Sequence, residues 1–119
     1  MFEVVVFTAS PSLYGNRVID WLDPEQSLVS HRLFRSECFF QQGRYVKHLE
    51  VLGRDLSKVA IIDNSVEAMG FQLENGILID DFYSDPSDRG LLDCLEFLHI
   101  MDRMEDTREA IRHYYHQSM

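Results

Sequence analysis

The sequence predicts an α/β domain with a mostly parallel sheet, flanking helices and a small β insert. Two apolar runs carry that prediction. EVVVFT (residues 3–8) and KVAIID (residues 58–63) hold apolar residues without alternation, the pattern of parallel strands covered on both faces. The elements read strand, helix, small β insert, strand, short strand, helix, an order that favours parallel pairing through crossover connections.

After the first strand, Ser10 is placed to cap a helix with Pro11 at its first position. Tyr14, Val18, Trp21 and Leu22 recur at helical spacing, and Pro24 stops the run. Gly15 weakens this helix slightly. Residues 28–49 mix β-branched and aromatic side chains around Gln42-Gly43, which predicts short strands about a turn. KVAIID comes next, then a short turn or helix, then NGILI (residues 75–79) as a short strand. Residues 91–104 form an amphipathic helix with Leu91, Leu95 and Leu98 on one side, and residues 106–116 form a second, short helix.

With 119 residues the chain is one small domain, residues 1–119, and its 45% apolar content is enough for a packed core. A net charge of −9 argues against a general nucleic-acid binder, which needs a basic stripe to neutralise phosphates. It leaves room for a few local cations to hold one phosphate. Cys38 and Cys94 share no metal-ligand spacing and read as buried free thiols. No apolar run reaches membrane-spanning length and no signal peptide is apparent, so nucleus or cytoplasm is the expected compartment. The chain opens directly into an apolar strand, so a piece of something longer is expected.

If the two apolar strands are parallel neighbours or near-neighbours, Thr8 and the pair Asp63-Asn64 emerge on one edge of the sheet, where open α/β sheets bind ligands. Thr8 then precedes a helix N-terminus whose free N–H groups, at Ala9 and Ser10, favour an anion; equally, Thr8 and Ser10 simply cap the helix. Lys47 is either a solvated edge residue or the cation that neutralises a bound phosphate. Arg35 has the same two readings, a surface ion pair being the simpler. The five histidines show no ligand spacing, and the acidic residues Asp80, Asp81, Asp85 and Asp88 read as a solvated loop with a helix cap.

The order of the segments narrows these alternatives. FTAS, YGNRVIDWLDP, RLFRSECFF, GRYVKHLEVLGRDLSKVAIIDNS, NGILI and the leucine-rich helix resemble, over nearly the whole chain, the FCP/SCP-type phosphatases. These are the RNA polymerase II C-terminal-domain phosphatases and their NLI-interacting-factor relatives, in the haloacid dehalogenase superfamily. LGRDL followed by a strand and IIDNS is the most specific part of the match.

That resemblance implies a haloacid-dehalogenase-like fold and a Mg²⁺-dependent protein serine/threonine phosphatase acting on phosphoserine or phosphothreonine peptides. It gives Thr8 the role of holding the transferring phosphoryl group, and Lys47 that of neutralising it. Asn64 is implied as a Mg²⁺ ligand, with Asp63 supporting both metal and lysine. Arg35 and Tyr14 are implied to hold the substrate peptide, beside Ala9 in the phosphate-facing loop.

The chain also departs from the family. His48 stands where the family usually has aspartate, Val66 where it has proline, and Ser36-Glu37 inverts the usual order. The family's first motif, DxDx[TV], which carries the nucleophilic aspartate and the other metal-binding carboxylates, does not occur in these 119 residues. The chain alone is therefore expected to be inactive and not to bind Mg²⁺, and the alternative is a non-catalytic, protein-binding relative. In the family the missing strand lies between the two apolar strands seen here. The gap it leaves is expected to be filled, either by a homodimer or by EVVVFT pairing directly with KVAIID, because buried unpaired backbone groups are costly.

Overall fold

Six short strands and three helices are found among the described residues of the computed structural model, which are 2–79, 87 and 89–113, with Leu91 described by its backbone alone. The elements are β1 (Val5–Phe7), α1 (Ser12–Leu22), β2 (His31–Leu33), β3 (Phe39–Gln41), β4 (Arg44–Val46), β5 (Ile61–Asp63), β6 (Gly76–Leu78), α2 (Gly90–Met101) and α3 (Thr107–Ile111). Short 3₁₀ turns fill the connections. No helix among the described residues is long and apolar enough to cross a membrane.

The mixed α/β character is as expected, but the sheet is not continuous. β1 pairs in parallel with β2, and β5 in parallel with β6, as two separate ladders. The β insert is an antiparallel hairpin of β3 and β4. Its turn places Gln42 and Gly43 at φ 53° and 78°, left-handed values that suit a two-residue hairpin loop.

The expectation that β1 pairs directly with β5 is overturned. An open cleft of about 950 Å³ lies there instead, lined by Val5 and Phe7 from one side and by Ile61, Ile62 and Asp63 from the other. This also corrects the reading of both strands as covered on both faces. Ile62, 37% exposed, turns its apolar side chain to the cleft because no further strand covers it.

The core sits on the β5–β6 side. One cluster joins Ile77 to Cys94, Phe97 and Met101 of α2 and to Ala110 and Ile111 of α3. A second joins Leu49, Ile61 and Met69. The buried positions of α2 are thus 94, 97 and 101, with Leu98 half-buried; Leu95 is exposed, so the face expected from the leucines is rotated by about one residue. The aspartates at 80, 81, 85 and 88 lie outside the described residues.

In helix α1 the side that packs on the protein is not the one that carries most of the large apolar residues. Gly15 and Ile19 face inward, while Tyr14, Val18, Trp21 and Leu22 are exposed. Size decides the orientation. A Cβ at position 15 would come within 2.7 Å of the Phe34 ring, so only glycine lets the helix settle against β2. Ser10 does not cap the helix: Pro11 occupies that position, and the Ser10 N–H donates to Thr8 Oγ1 at 3.1 Å. At the other end, the buried carboxylate of Asp23 accepts from the N–H groups of Ser27, Leu28 and Val29 at 2.9–3.2 Å, which pins the route into β2.

Candidate active site

Lys47 immediately follows β4, and its main chain is tied to the next segment by its N–H, which donates to Ala68 O at 2.8 Å. That anchoring sends the side chain to the end of β5. There Lys47 Nζ donates to Asp63 Oδ2 at 2.5 Å, with the two side chains 13% and 8% exposed. The other carboxylate oxygen accepts from the Ser65 N–H at 3.1 Å. Asn64 lies between, exposed and engaged within the protein.

Thr8 immediately follows β1, and its N–H donates to Leu33 O at 3.0 Å. Because Thr8 Oγ1 accepts from Ser10, its hydroxyl proton stays available to donate elsewhere. Arg35 holds the same loop: its Nε donates to Ala9 O at 2.8 Å, and its N–H to Ser10 O at 3.0 Å. The guanidinium then lies over the Tyr45 ring, 4.8 Å from the centroid, and so joins the loop to the hairpin.

Cys38 packs against the Thr8 loop. Its thiol is within 3.9 Å of Thr8 O and 3.7 Å of Phe34 O. Burial pushes the thiol pKa up, while the nearby Lys47 charge acts against that rise. Cys38 is half-buried, and Cys94, in the α2 core, is fully buried and likewise raised by burial. Thr8, Ala9 and Arg35 therefore form one group and Lys47 and Asp63 another, and Phe7, next to Thr8, and Asp63 both line the cleft. Tyr14 is not tied into either group: it is exposed on the outer side of α1, with no ring or hydrogen-bond contact among the described residues.

The family model of NLI interacting factor-like phosphatases matches residues 1–108. The chain belongs to that family. It is 44% identical over 115 residues to CTD small phosphatase-like protein 3 of Caenorhabditis elegans, covering 96% of this chain and 40% of that protein. It is 44% identical over 112 residues to CTD small phosphatase-like protein 2 of Dictyostelium discoideum, covering 94% of this chain and 20% of that protein. With CTD nuclear envelope phosphatase 1 of Xenopus tropicalis it shares 40% over 116 residues, 98% of this chain and 48% of that protein. The chain thus spans between a fifth and a half of these relatives.

The donors that the family resemblance assigns to Mg²⁺ are Asp63 and Asn64. Each oxygen of Asp63 already accepts one hydrogen bond, from Lys47 and from Ser65, and no group of three or more His, Cys, Asp or Glu able to hold a metal occurs among the described residues. Mg²⁺ prefers six oxygen ligands in near-octahedral geometry.

Sequence reasoning read Cys38 as a buried thiol, whereas it is half-buried beside Thr8, and it missed Tyr45 and the aromatic group around His48. The signal for Tyr45 was present: in a hairpin turning at residues 42 and 43 it pairs with Phe40, and their rings lie 5.0 Å apart.

Proposed function

We propose that this chain forms part of a protein serine/threonine phosphatase of haloacid dehalogenase type, whose nucleophilic aspartate comes from outside these 119 residues. The observation that carries this reading is the open cleft between the free edges of β1 and β5, which ends beside the buried Lys47–Asp63 pair. A strand seated there meets hydrogen-bonding partners on both edges, and its carboxyl end comes to Thr8 and Asp63.

In that arrangement an aspartate oxygen attacks phosphorus and the ester P–O bond breaks. The serine or threonine oxygen leaves with a proton from an acid on the same segment. Water then attacks the aspartyl-phosphate, which releases phosphate and restores the carboxylate. The residues here supply positioning and charge. Thr8 donates its hydroxyl proton to a phosphoryl oxygen, Lys47 neutralises the phosphate, and Asp63 aims Lys47. Arg35 and Ala9 shape the loop toward the peptide, and Tyr14 borders the peptide further out. Asn64 and Asp63, together with the added carboxylates, would hold Mg²⁺, which would supply positive charge to the transferring phosphoryl group. The substrate is a phosphoserine or phosphothreonine protein, with no direct nucleic-acid or membrane contact, in the nucleus or cytoplasm.

The test is hydrolysis of p-nitrophenyl phosphate with Mg²⁺. The 119-residue chain is expected to show none, and a longer protein restoring a DxDx[TV] segment is expected to turn over. Turnover by the short chain that Asn64→Ala abolishes overturns the reading; a longer protein that folds yet stays inactive favours the protein-binding alternative. Light scattering over a concentration series reads whether two short chains fill each other's cleft as a homodimer.

A further inference from the structure

His48 lies directly after Lys47, and its ring is the centre of an aromatic group. It stacks on Phe71 at 4.5 Å between centroids and meets the edge of Phe39 at 5.2 Å. Its side chain is 16% exposed. The hydrogen bonds around it assign its tautomer. The buried Leu49 N–H donates to Gln72 Oε1 at 2.8 Å, which orients the Gln72 amide. Gln72 Nε2 is therefore a donor, and it lies 2.9 Å from His48 Nδ1. The Glu50 N–H donates to the same nitrogen at 3.3 Å. Two donors on Nδ1 require a lone pair there, so the imidazole is neutral with its proton on Nε2.

This acceptor clamps the segment that carries Lys47. Residue 46 is held in the hairpin ladder opposite Phe39, the Lys47 N–H is on Ala68 O, and residues 48–50 are held through the His48–Gln72 pair. A proton added at Nδ1 faces two donors, so both bonds are lost. The charged groups nearby are few. Glu50 Oε2 lies 3.8 Å from Nε2, Lys47 is committed to Asp63, and Glu67 is held by Arg44 and the Ser65 hydroxyl. The facing residues of β3 and of the turn at 71–72 (Phe39, Phe71 and Gln72) carry no charge.

We propose that His48 is a positioning residue for Lys47, acting through its neutral Nδ1, and that its protonation releases the Lys47 segment. Aspartate at this position accepts from the same two N–H donors without titrating near neutrality. The histidine therefore keeps the clamp and adds a pH dependence that aspartate lacks. The consequence for catalysis rests on the phosphatase reading, but the clamp does not.

The test uses the 119-residue chain and NMR between pH 8 and pH 5. Long-range imidazole ¹H–¹⁵N correlations are expected to show His48 with its proton on Nε2 at pH 8. As the pH falls, the Leu49 and Glu50 amides and the Gln72 side-chain amide should move together with the His48 ring. At the acid end, hydrogen exchange at Leu49 should be roughly tenfold faster than in His48→Asp at the same pH, the effect of losing one or two ordinary hydrogen bonds. His48→Asp should keep the pH 8 amide positions and show no transition. His48→Ala should show displaced amides throughout. A proton on Nδ1 at pH 8, amides that ignore the ring's titration, or a transition that survives in His48→Asp overturns the proposal. None of these outcomes depends on phosphatase activity.

Discussion

Lys47 and Asp63, sixteen residues apart, meet at 2.5 Å and tie the hairpin insert to the end of β5, with little water on either side chain. Removing the cation leaves a largely buried carboxylate held by the Ser65 N–H. Lys47→Met is expected to cost about 3 kcal/mol in urea unfolding. The double variant Lys47→Met/Asp63→Leu should lose less, because no lone charge remains. A double variant less stable than Lys47→Met contradicts this reading of the pair.

Asp23 gives the acid limb of stability. The Val29 N–H is the main cause holding its carboxyl below the usual range, with those of Leu28 and Ser27 adding to it, against an opposing effect of burial. A carboxyl depressed in the folded state stabilises the fold above its unfolded pKa of about 3.9. That contribution is lost as the pH falls through the lower folded value. The wild-type urea midpoint should therefore drop below about pH 4. Asp23→Asn should lower the midpoint at pH 7 and flatten part of the drop, which urea titrations at several pH values read.

Gly15 sets how closely α1 approaches β2. Valine there brings atoms into the Phe34 ring, which a Cβ alone already meets at 2.7 and 2.8 Å. Gly15→Val is expected to destabilise by about 2 kcal/mol despite the helix-propensity gain over glycine. Phe34 precedes Arg35, so the contact of Arg35 with Ala9 should loosen too. Thermal melts read the first effect, and amide shifts of residues 8–10 the second.

The two thiols should differ in reach but share low reactivity. Burial raises both, so little thiolate exists at neutral pH. Iodoacetamide at pH 7.5 should label Cys38 slowly and Cys94 only under unfolding conditions, as intact mass spectrometry can follow. Rapid labelling of Cys94 in buffer would contradict its place in the α2 core.

The order of elements along the chain was legible because long apolar runs and their flanking polar residues are local signals, and the meeting of Lys47 with Asp63 was implied by the family resemblance, but how the strands pair was not legible. Nor was the facing of α1. Helical spacing reveals that Tyr14, Val18, Trp21 and Leu22 share a side, but not whether that side meets protein. A glycine one step round the helix decided it, through a ring nineteen residues away. On α2 the leucines and the Cys94, Phe97, Met101 set compete at the same period, and packing on Ile77 chose the second. Asp23 gave no signal, since a carboxylate after a helix is common and its three N–H partners exist only once the loop folds back. The His48 clamp was hidden likewise, because Gln72 lies twenty-four residues away.

Trp21 is the chain's only tryptophan, and it is 80% exposed on the outer side of α1. Its fluorescence in the native protein therefore already comes from an indole in water. Unfolding changes that environment little, so an emission scan is a poor monitor of this domain's folding, and tyrosine or far-ultraviolet signals must serve instead. The same exposure makes the indole a built-in reporter of contact. Whatever covers the α1 stripe, be it a peptide, a neighbouring segment or another protein, will shift Trp21 emission to the blue while leaving the buried core spectroscopically silent.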